Sequence, residues 1–201
     1  MRRLLLVRHA HARSNVAESV SSAPPGEGLS DLGVEEALAL REALAHEQID
    51  LGVTTRLART QETLDLALGD RHVPRLVLDG LDEIGFGSFE GGALADYRTW
   101  AFENEADVLC PGGGESRASA AERFAGALDV LLQRPEDTIL AVSHSLPIRY
   151  VLDAADGVFP AARIVHVTHA TPHELDAVAV ERAAETLRVW AATPRFVESR
   201  L

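Results

Sequence analysis

The chain has 201 residues, of which 46% are hydrophobic and 25% are charged, a composition that is ordinary for a globular protein with a sizeable core. Its formal net charge of −12 argues against nucleic acid and against anionic membranes as general partners. An acidic chain that binds an anionic substrate must therefore do so through a local group of arginines. Cys110 is the only cysteine, which excludes an internal disulfide.

Two features bear on location. The apolar run at the N-terminus ends at Arg8 after four residues, which is too short for the core of a signal peptide. No stretch of the sequence approaches the roughly 18 apolar residues that a membrane-spanning helix needs. The sequence therefore predicts a cytoplasmic protein with no membrane partner.

The first third of the chain begins with an apolar strand over 4–8. A small, polar segment rich in proline and glycine at 16–29 predicts a loop. A helix follows, for which Ser30 or Asp31 can serve as the N-cap. The positions predicted to line one face of this helix are Val34, Ala37, Leu38, Arg41 and Leu44.

The rest of the chain continues to alternate strands with helices. Gly69 ends the second predicted helix, and Pro147 suits the first turn of the last one. The predicted helices lie at 57–68, 93–106 and 116–133, and a further helix is predicted to begin near residue 147. The predicted strands lie at 49–55, 73–78, 138–143, 163–168 and 173–180, and 185–190 is a candidate for a last edge strand.

This alternation predicts a three-layer α/β/α sandwich with a mostly parallel central sheet. We find no boundary that would divide the chain, so residues 1–201 are expected to form one domain. The glycine-rich segments at 79–92 and 110–115 are predicted to lie over the carboxyl edge of the sheet. Ligands bind at that edge in open α/β sheets.

Two histidines each follow a predicted strand by one residue, His9 after Arg8 and His144 after 138–143. If the two strands are parallel in one sheet, the two imidazoles meet at one edge, with Arg8 beside them. His144 would also stand at a helix N-terminus, where anions are favoured. A guanidinium matches phosphate oxygens with paired hydrogen bonds, so this group predicts phosphate chemistry.

Further polar residues fall near the same edge. Asn15 follows His9 within one loop and supplies donors. Arg56 and Arg59 fall in the first turn of a helix, where a cation opposes the helix dipole unless an anion is bound. The spacing favours Arg59, one turn before Thr63, as the ligand and a solvated surface position for Arg56. Arg149 is predicted to be structural.

Three acidic residues in the glycine-rich segment could supply a proton: Asp82, Glu83 and Glu90. Glu83 is flanked by apolar residues and glycines, so partial burial could raise its pKa and keep a proton available. Glu83 is therefore the preferred acid, and Glu90 is the alternative.

In this order, the motifs resemble those of the histidine phosphatase superfamily, also called phosphoglycerate mutase-like. They extend from residue 4 to residue 149, about three-quarters of the chain. The matching segments are the arginine–histidine signature at 6–10 with Asn15, the second arginine motif at 57–63, the acid loop at 81–91, the Gly-Gly-Glu-Ser segment at 113–116 and the second histidine at 142–144.

The resemblance implies a phosphoglycerate mutase-like fold and a metal-independent phosphomonoesterase that needs no cofactor. His9 would be the nucleophile and form a phosphohistidine, which requires a neutral ring whose other nitrogen donates to a backbone carbonyl. Glu83 would protonate the leaving oxygen and then act as base on water. The partners would be a small phosphorylated substrate and inorganic phosphate. The residues implied to bind the phosphoryl group are Arg8, Arg59 and His144, with help from Asn15.

Several alternatives stay open. A cofactor-dependent, phosphoglycerate-type mutase would share the catalytic residues, although the compact stretch between Glu90 and Pro111 favours hydrolysis. A phosphate-binding protein without turnover is a second alternative. A homodimer through an exposed edge strand is conceivable, and the substrate is not readable from the sequence. A zinc site is disfavoured, because strand-and-turn geometry would not bring its ligands together. Its candidate ligands are His166, His169, His173 and Glu174.

Overall fold

The computed structural model describes residues 1–197 and contains a five-stranded sheet with helices on both faces. This confirms the predicted α/β class. The strands are β1 (Arg3–Arg8), β2 (Leu51–Thr54), β3 (Arg75–Val77), β4 (Thr138–Ser143) and β5 (Pro172–Asp176). The helices are α1 (Arg13–Val16), α2 (Asp31–Ala43), α3 (Ala58–Leu68), α4 (Leu94–Glu103), α5 (Arg117–Leu132), α6 (Ser145–Ala155) and α7 (Ala177–Ala192), with short 3-10 turns at Asp79–Leu81 and Gly87–Phe89.

The strand order is β3-β2-β4-β1-β5, and β5 alone runs antiparallel to its neighbour. In the central pair, Val7 lies opposite Val142 and Arg8 lies opposite Ser143. The residues that follow β1 and β4 therefore leave the same edge of the sheet side by side. This register brings the two predicted histidines together.

The side chains of β1 alternate between two apolar layers. Leu4 and Leu6 belong to a cluster that includes residues of α5, α6 and α7, whereas Leu5 and Val7 pack with residues of α2 and α3. Burial on both faces is the pattern of a strand inside a three-layer fold. None of the helices in the described part of the chain is long and apolar enough to cross a membrane. The cytoplasmic location stays a prediction.

The strand prediction for 163–168 is wrong. The segment has β-branched residues, but β4 and β5 already occupy both edges of β1, so 163–168 does not join the sheet beside that strand. After it, one isolated bridge joins His169 to Arg8 at the end of β1. The segment instead passes over the carboxyl edge of the sheet.

The strand prediction for 173–180 is partly wrong, and the strand prediction for 185–190 is wrong. The strand ends at Asp176, whose carboxylate accepts a hydrogen bond from Ala179 N at 2.7 Å and so caps α7. A short run of alanine and valine fits either structure, and here the cap and the helical spacing prevail. The buried face of α7, which includes 185–190, comprises Val180, Ala183, Ala184, Leu187 and Trp190.

The predicted face of α2 is rotated from the observed one. Val34 and Leu38 are 38% and 41% exposed, whereas Gly33, Ala37, Leu40 and Leu44 are buried. The cause is a close approach at the start of the helix: a Cβ on Gly33 would lie 2.0 Å from the carbonyl oxygen of His11. Only glycine allows the helix to lie against the segment that follows β1.

We expect Gly33→Ala to destabilise the protein by roughly 1–3 kcal/mol, because the new methyl group must displace backbone. Gly126→Ala is the matched control, since Gly126 is an exposed helix position with nothing within 4 Å of the added Cβ. That variant should be about 0.5–1 kcal/mol more stable than wild type. Urea unfolding with an unchanged slope measures both values. Equal effects at the two positions would contradict the close approach.

Candidate active site

The two strand ends place His9 and His144 with their ring centroids 5.3 Å apart. Both residues are buried, and the guanidinium of Arg59 contacts both rings. Arg59 lies in the first turn of α3, the helix that follows β2. The segments that follow β1, β2 and β4 therefore contribute one side chain each to this edge of the sheet.

The tautomer of His9 follows from its partners. Its Nδ1 lies 2.8 Å from the carbonyl oxygen of Ala10, and a carbonyl can only accept, so Nδ1 carries the proton. Its Nε2 accepts a hydrogen bond from Arg59 Nε at 3.2 Å. Burial and the charges of Arg59 and Arg8 hold the pKa of His9 well below its ordinary value. The ring is thus neutral, with a lone pair on Nε2.

His144 has the opposite tautomer. Its Nδ1 accepts from Arg59 NH2 at 3.2 Å, so Nε2 carries the proton and donates to Thr55 Oγ1 at 3.0 Å. Burial and then the charge of Arg59 hold the pKa of His144 well below its ordinary value. His144 is also the N-cap residue of α6, as the sequence predicted. Its side chain is fully buried behind Arg59 and His9.

Arg8 and Arg59 are buried cations without a carboxylate partner among residues 1–197. They are 7% and 3% exposed, and each donates to a backbone carbonyl, Arg8 to Val167 and Arg59 to Ser21, both at 2.8 Å. Arg8 Nε and Arg59 NH1 are buried with no hydrogen-bond partner. Burial lowers the pKa of Arg59 and lowers that of Arg8 to about 10. Such unsatisfied buried donors are costly unless an anion binds to them.

Glu83 is the acid that the structure brings to this site. It lines the same cavity as Arg8, His9 and Arg59, and its Oε1 accepts from Ile84 N at 3.0 Å. Burial raises the pKa of Glu83, although the nearby arginine charges oppose this rise. The raised pKa favours the protonated form that a general acid needs.

The other two acids have different partners. Asp82 accepts from the backbone N–H and side-chain Nε of Arg56. Glu90 accepts hydrogen bonds from the backbone of Ser22 and Ala23 and ties the 16–29 segment to the glycine-rich segment. Arg56 therefore pairs with Asp82 at the surface rather than joining the site. Glu90 has a structural contact of its own.

Arg123 of α5 holds the loop that carries Glu83. Its guanidinium donates to the carbonyl oxygens of Gly80 and Asp82 at 3.1 and 3.0 Å and to that of Glu83 at 3.3 Å. It also pairs with Glu115, whose carboxylate accepts from Gly85 N. Arg123 thus positions Glu83 through the backbone, and its charge also acts on the Glu83 carboxyl.

We expect Arg123→Gln to lower kcat about 10-fold and to move the high-pH limb of the kcat/KM profile upward. The reason is that the charge of Arg123 lowers the pKa of Glu83, so its removal raises that pKa further and keeps the acid protonated to higher pH. Arg123→Lys should keep the position of the limb but still lose rate, because lysine lacks the planar fork. A limb that stays in place in Arg123→Gln would contradict the electrostatic part.

The cavity has a volume of about 470 Å³ and extends well beyond His9, whereas the buried His144 is not among its lining residues. Asn15 lies on its wall with Oδ1 accepting from Ala12 N at 2.9 Å, so its amide nitrogen is the end available to an anion. Sequence reasoning did not identify the rest of the lining. Its further charged and aromatic polar residues are Tyr97, Arg98, Arg117, Arg163 and His166, of which His166 was considered only as a zinc ligand.

The histidines considered as zinc ligands make separate contacts. His169 Nδ1 donates to the carbonyl oxygen of His9 at 2.8 Å, and its ring centroid lies 5.5 Å from that of His9. His166 contacts Arg8 and Arg98, and Glu174 pairs with Arg3. Among residues 1–197, no group of three or more metal-ligating side chains is placed to hold an ion. His169 thus positions the backbone of His9.

Arg149 lies outside this group, as the sequence predicted. Its Nε donates to the carbonyl oxygen of Val165 at 3.1 Å, and NH1 pairs with Asp153 at 3.4 Å. The first contact connects α6 to the segment that passes over the sheet edge, and the second lies within α6. Arg149 is therefore a structural residue.

Comparison with known proteins gives a consistent picture. A family model described as the histidine phosphatase superfamily (branch 1) matches residues 4–193. The adenosylcobalamin/alpha-ribazole phosphatase of Salmonella typhimurium is 31% identical over 82% of this chain and 84% of that protein. Phosphoserine phosphatase 1 of Hydrogenobacter thermophilus is 30% identical over 79% of this chain and 78% of that protein. The solved structure of the alpha-ribazole phosphatase from Shigella flexneri superimposes with a TM-score of 0.72 at 26% identity, over 87% of this chain and 90% of that one.

Proposed function

The chain belongs to the histidine phosphatase superfamily and is a phosphoric monoester hydrolase, and we propose that it hydrolyses a small phosphomonoester through a phosphohistidine on His9, without a metal ion. One observation carries the proposal. Arg59 contacts both histidine rings, while Arg8 Nε and Arg59 NH1 are buried donors with no partner in the part of the chain that the structure describes. A phosphoryl group placed between them would satisfy these donors and lie beside a neutral imidazole.

The first step is attack by His9. The phosphoryl oxygens attract the guanidinium of Arg59 away from His9 Nε2, which frees the lone pair of that nitrogen. A bond forms between Nε2 and phosphorus as the ester bond to phosphorus breaks, and the electron pair goes to the ester oxygen. Glu83 gives its proton to that oxygen, and the alcohol leaves.

The second step reverses the proton transfer. A water molecule attacks phosphorus, the bond from phosphorus to His9 Nε2 breaks, and the Glu83 carboxylate takes a proton from the water. Inorganic phosphate leaves, and Glu83 is protonated again for the next substrate. The bond from His9 Nδ1 to the Ala10 carbonyl keeps the same nitrogen as nucleophile in every cycle.

Charge stabilisation comes from the fixed cations. The transition state spreads negative charge over three phosphoryl oxygens, which Arg8 and Arg59 can bind with charge-assisted hydrogen bonds. When Arg59 turns toward the phosphoryl group, Nδ1 of His144 also becomes accessible and can share a proton with a phosphoryl oxygen. The Asn15 amide is a further donor. These donors take the electrostatic part that a metal ion plays in other phosphatases.

The test measures phosphate release from a panel of phosphomonoesters after dialysis against EDTA. It also measures the mass of protein quenched in alkali, where a phosphohistidine is stable. We expect turnover that survives EDTA and one added phosphoryl group per chain. Activity that disappears with EDTA would overturn metal independence. Accumulation of an isomerised ester instead of phosphate would favour the mutase, and binding without either product would favour a phosphate-binding protein.

A further inference from the structure

The cavity holds more positive charge than one phosphoryl group requires. Four of the arginines that line it, Arg8, Arg59, Arg98 and Arg117, have no carboxylate within salt-bridge distance among residues 1–197. Nine other arginines of the chain do form such pairs. Acidic side chains are abundant in a chain with a net charge of −12, yet none of those in residues 1–197 lies within salt-bridge distance of these four arginines.

His166 stands between two of these arginines. Its Nδ1 lies 3.3 Å from Arg8 NH1, and its Nε2 lies 2.7 Å from Arg98 NH2. Burial and both arginine charges lower the pKa of His166, so the ring is neutral and has a single lone pair. The shorter contact identifies Nε2 as the acceptor from Arg98. Nδ1 of His166 then carries the proton, and this N–H points toward Arg8 NH1, which is itself a donor.

This arrangement lacks an acceptor. Arg8 NH1 already donates to the carbonyl oxygen of Val167, and the N–H of His166 faces that same guanidinium. An oxyanion beside Arg98 would accept from Arg98 and from the Nε2–H of His166, and Nδ1 would then accept from Arg8 NH1, so the contact between two donors would be removed. Arg98 and His166 line the cavity and are both exposed, so they mark its mouth, where such a group can enter.

Arg117 adds a second unneutralised charge deeper in the cavity. Its NH1 donates to the hydroxyl of Tyr150 at 3.1 Å, and its Nε is buried without a partner among the described residues. Burial raises the pKa of the Tyr150 hydroxyl and raises that of Tyr97 to about 12, so both phenols stay uncharged. Neither can neutralise Arg117, and buried charges require a counter-charge.

We propose that the substrate carries a second acidic group, a carboxylate or a second phosphate, and that Arg98 and His166 bind this group at the mouth of the cavity. The inference rests on the proposed phosphatase activity and specifies its substrate class. Because His166 alone separates Arg98 from Arg8, the second acidic group lies only a few bonds from the ester oxygen. Arg117 adds positive potential that favours a leaving group with such an acidic group over a neutral one.

The test compares substrates that differ in one group. 3-Phosphoglycerate and glycerol 3-phosphate differ only in a carboxylate against a hydroxymethyl group, and fructose 1,6-bisphosphate and fructose 6-phosphate form the pair for a second phosphate. Wild type should prefer the acidic member of at least one pair. Arg98→Gln should lower kcat/KM for that member about 10- to 100-fold, mainly through KM, and change the neutral member little. Which pair responds identifies the acidic group.

Arg13→Gln is the control, because it removes the same charge from an exposed arginine that does not line the cavity. It should leave both members of each pair unchanged. Equal loss for acidic and neutral esters in Arg98→Gln would overturn the proposal, since Arg98 would then serve the transferred phosphoryl group itself. A preference for the acidic member that stays unchanged in Arg98→Gln would overturn the proposal as well. Hydrolysis of the neutral esters by wild type keeps the proposed function intact in either case, and no hydrolysis of any ester would defeat that function instead.

Discussion

His9→Ala is expected to lower turnover by roughly 10⁴-fold or more and to abolish the phosphoryl adduct. The variant loses Nε2, the neutral nitrogen that faces Arg59, and no other imidazole can take its place. In the proposed mechanism His144 Nδ1 faces a phosphoryl oxygen once Arg59 has turned, and His169 uses Nδ1 for the His9 carbonyl. Phosphate release and the mass of alkali-quenched protein measure the two effects.

Phosphate binding should survive in the same variant. Arg8 and Arg59 keep their unpartnered donors when the imidazole is removed, so titration with inorganic phosphate should give a Kd close to that of wild type. His11→Ala is the matched control, because His11 lies two residues away and contacts Ser30 instead of the cavity. It should keep most of the activity. If His9→Ala retained even a tenth of the turnover, a phosphohistidine at this position would be excluded.

The core of the site could be predicted because each residue follows a recognisable local signal. An apolar run reads as a buried strand, and the residue after it must lie at the sheet edge. That reasoning applies to His9 and His144 without knowledge of the helices. Arg59 was predicted from an unfavourable position for a cation at a helix start, and Glu83 from apolar neighbours. The tautomers of the two histidines and the lack of carboxylate partners for the arginines could not be predicted in this way, because they depend on contacts in the folded structure.

The rest of the cavity depends on contacts between distant parts of the chain. His166 and His169 reach the site because β5 pairs antiparallel with β1, which draws the preceding segment over the sheet edge. No periodicity in 163–168 signals this, and its apolar residues suggested a strand instead. Arg98 and Arg117 enter the cavity through the packing of α4 and α5. The spacing of apolar residues indicates that these helices exist but not where they sit.

Glu83→Gln provides the sharpest separation of the two chemical steps. The amide keeps the size of the side chain but cannot give up a proton to the ester oxygen. For an alkyl phosphate, whose alkoxide leaves poorly, we expect kcat/KM to fall about 10²- to 10⁴-fold. p-Nitrophenolate leaves without a proton, so the first step with p-nitrophenyl phosphate should change far less.

The second step also needs Glu83, as a base on the attacking water, and this makes the aryl ester informative. In Glu83→Gln the phosphohistidine should form and then hydrolyse slowly. The variant should therefore release a burst of one p-nitrophenol per active site and accumulate the phosphoryl adduct on His9. Glu90→Gln is the matched control, because the Glu90 carboxylate contacts Ser22 and Ala23 outside the cavity. It should show neither effect.

The dependence on leaving group is what distinguishes a general acid from a residue that only supports the fold. A structural loss at Glu83 would lower the rates with both esters by the same factor and would leave no adduct. The raised pKa of Glu83, caused by burial, gives a further check, since the carboxyl must be protonated for the first step. Wild-type kcat/KM for the alkyl ester should therefore fall as the pH rises through this raised pKa. In Glu83→Gln that limb should be missing, because the amide does not titrate.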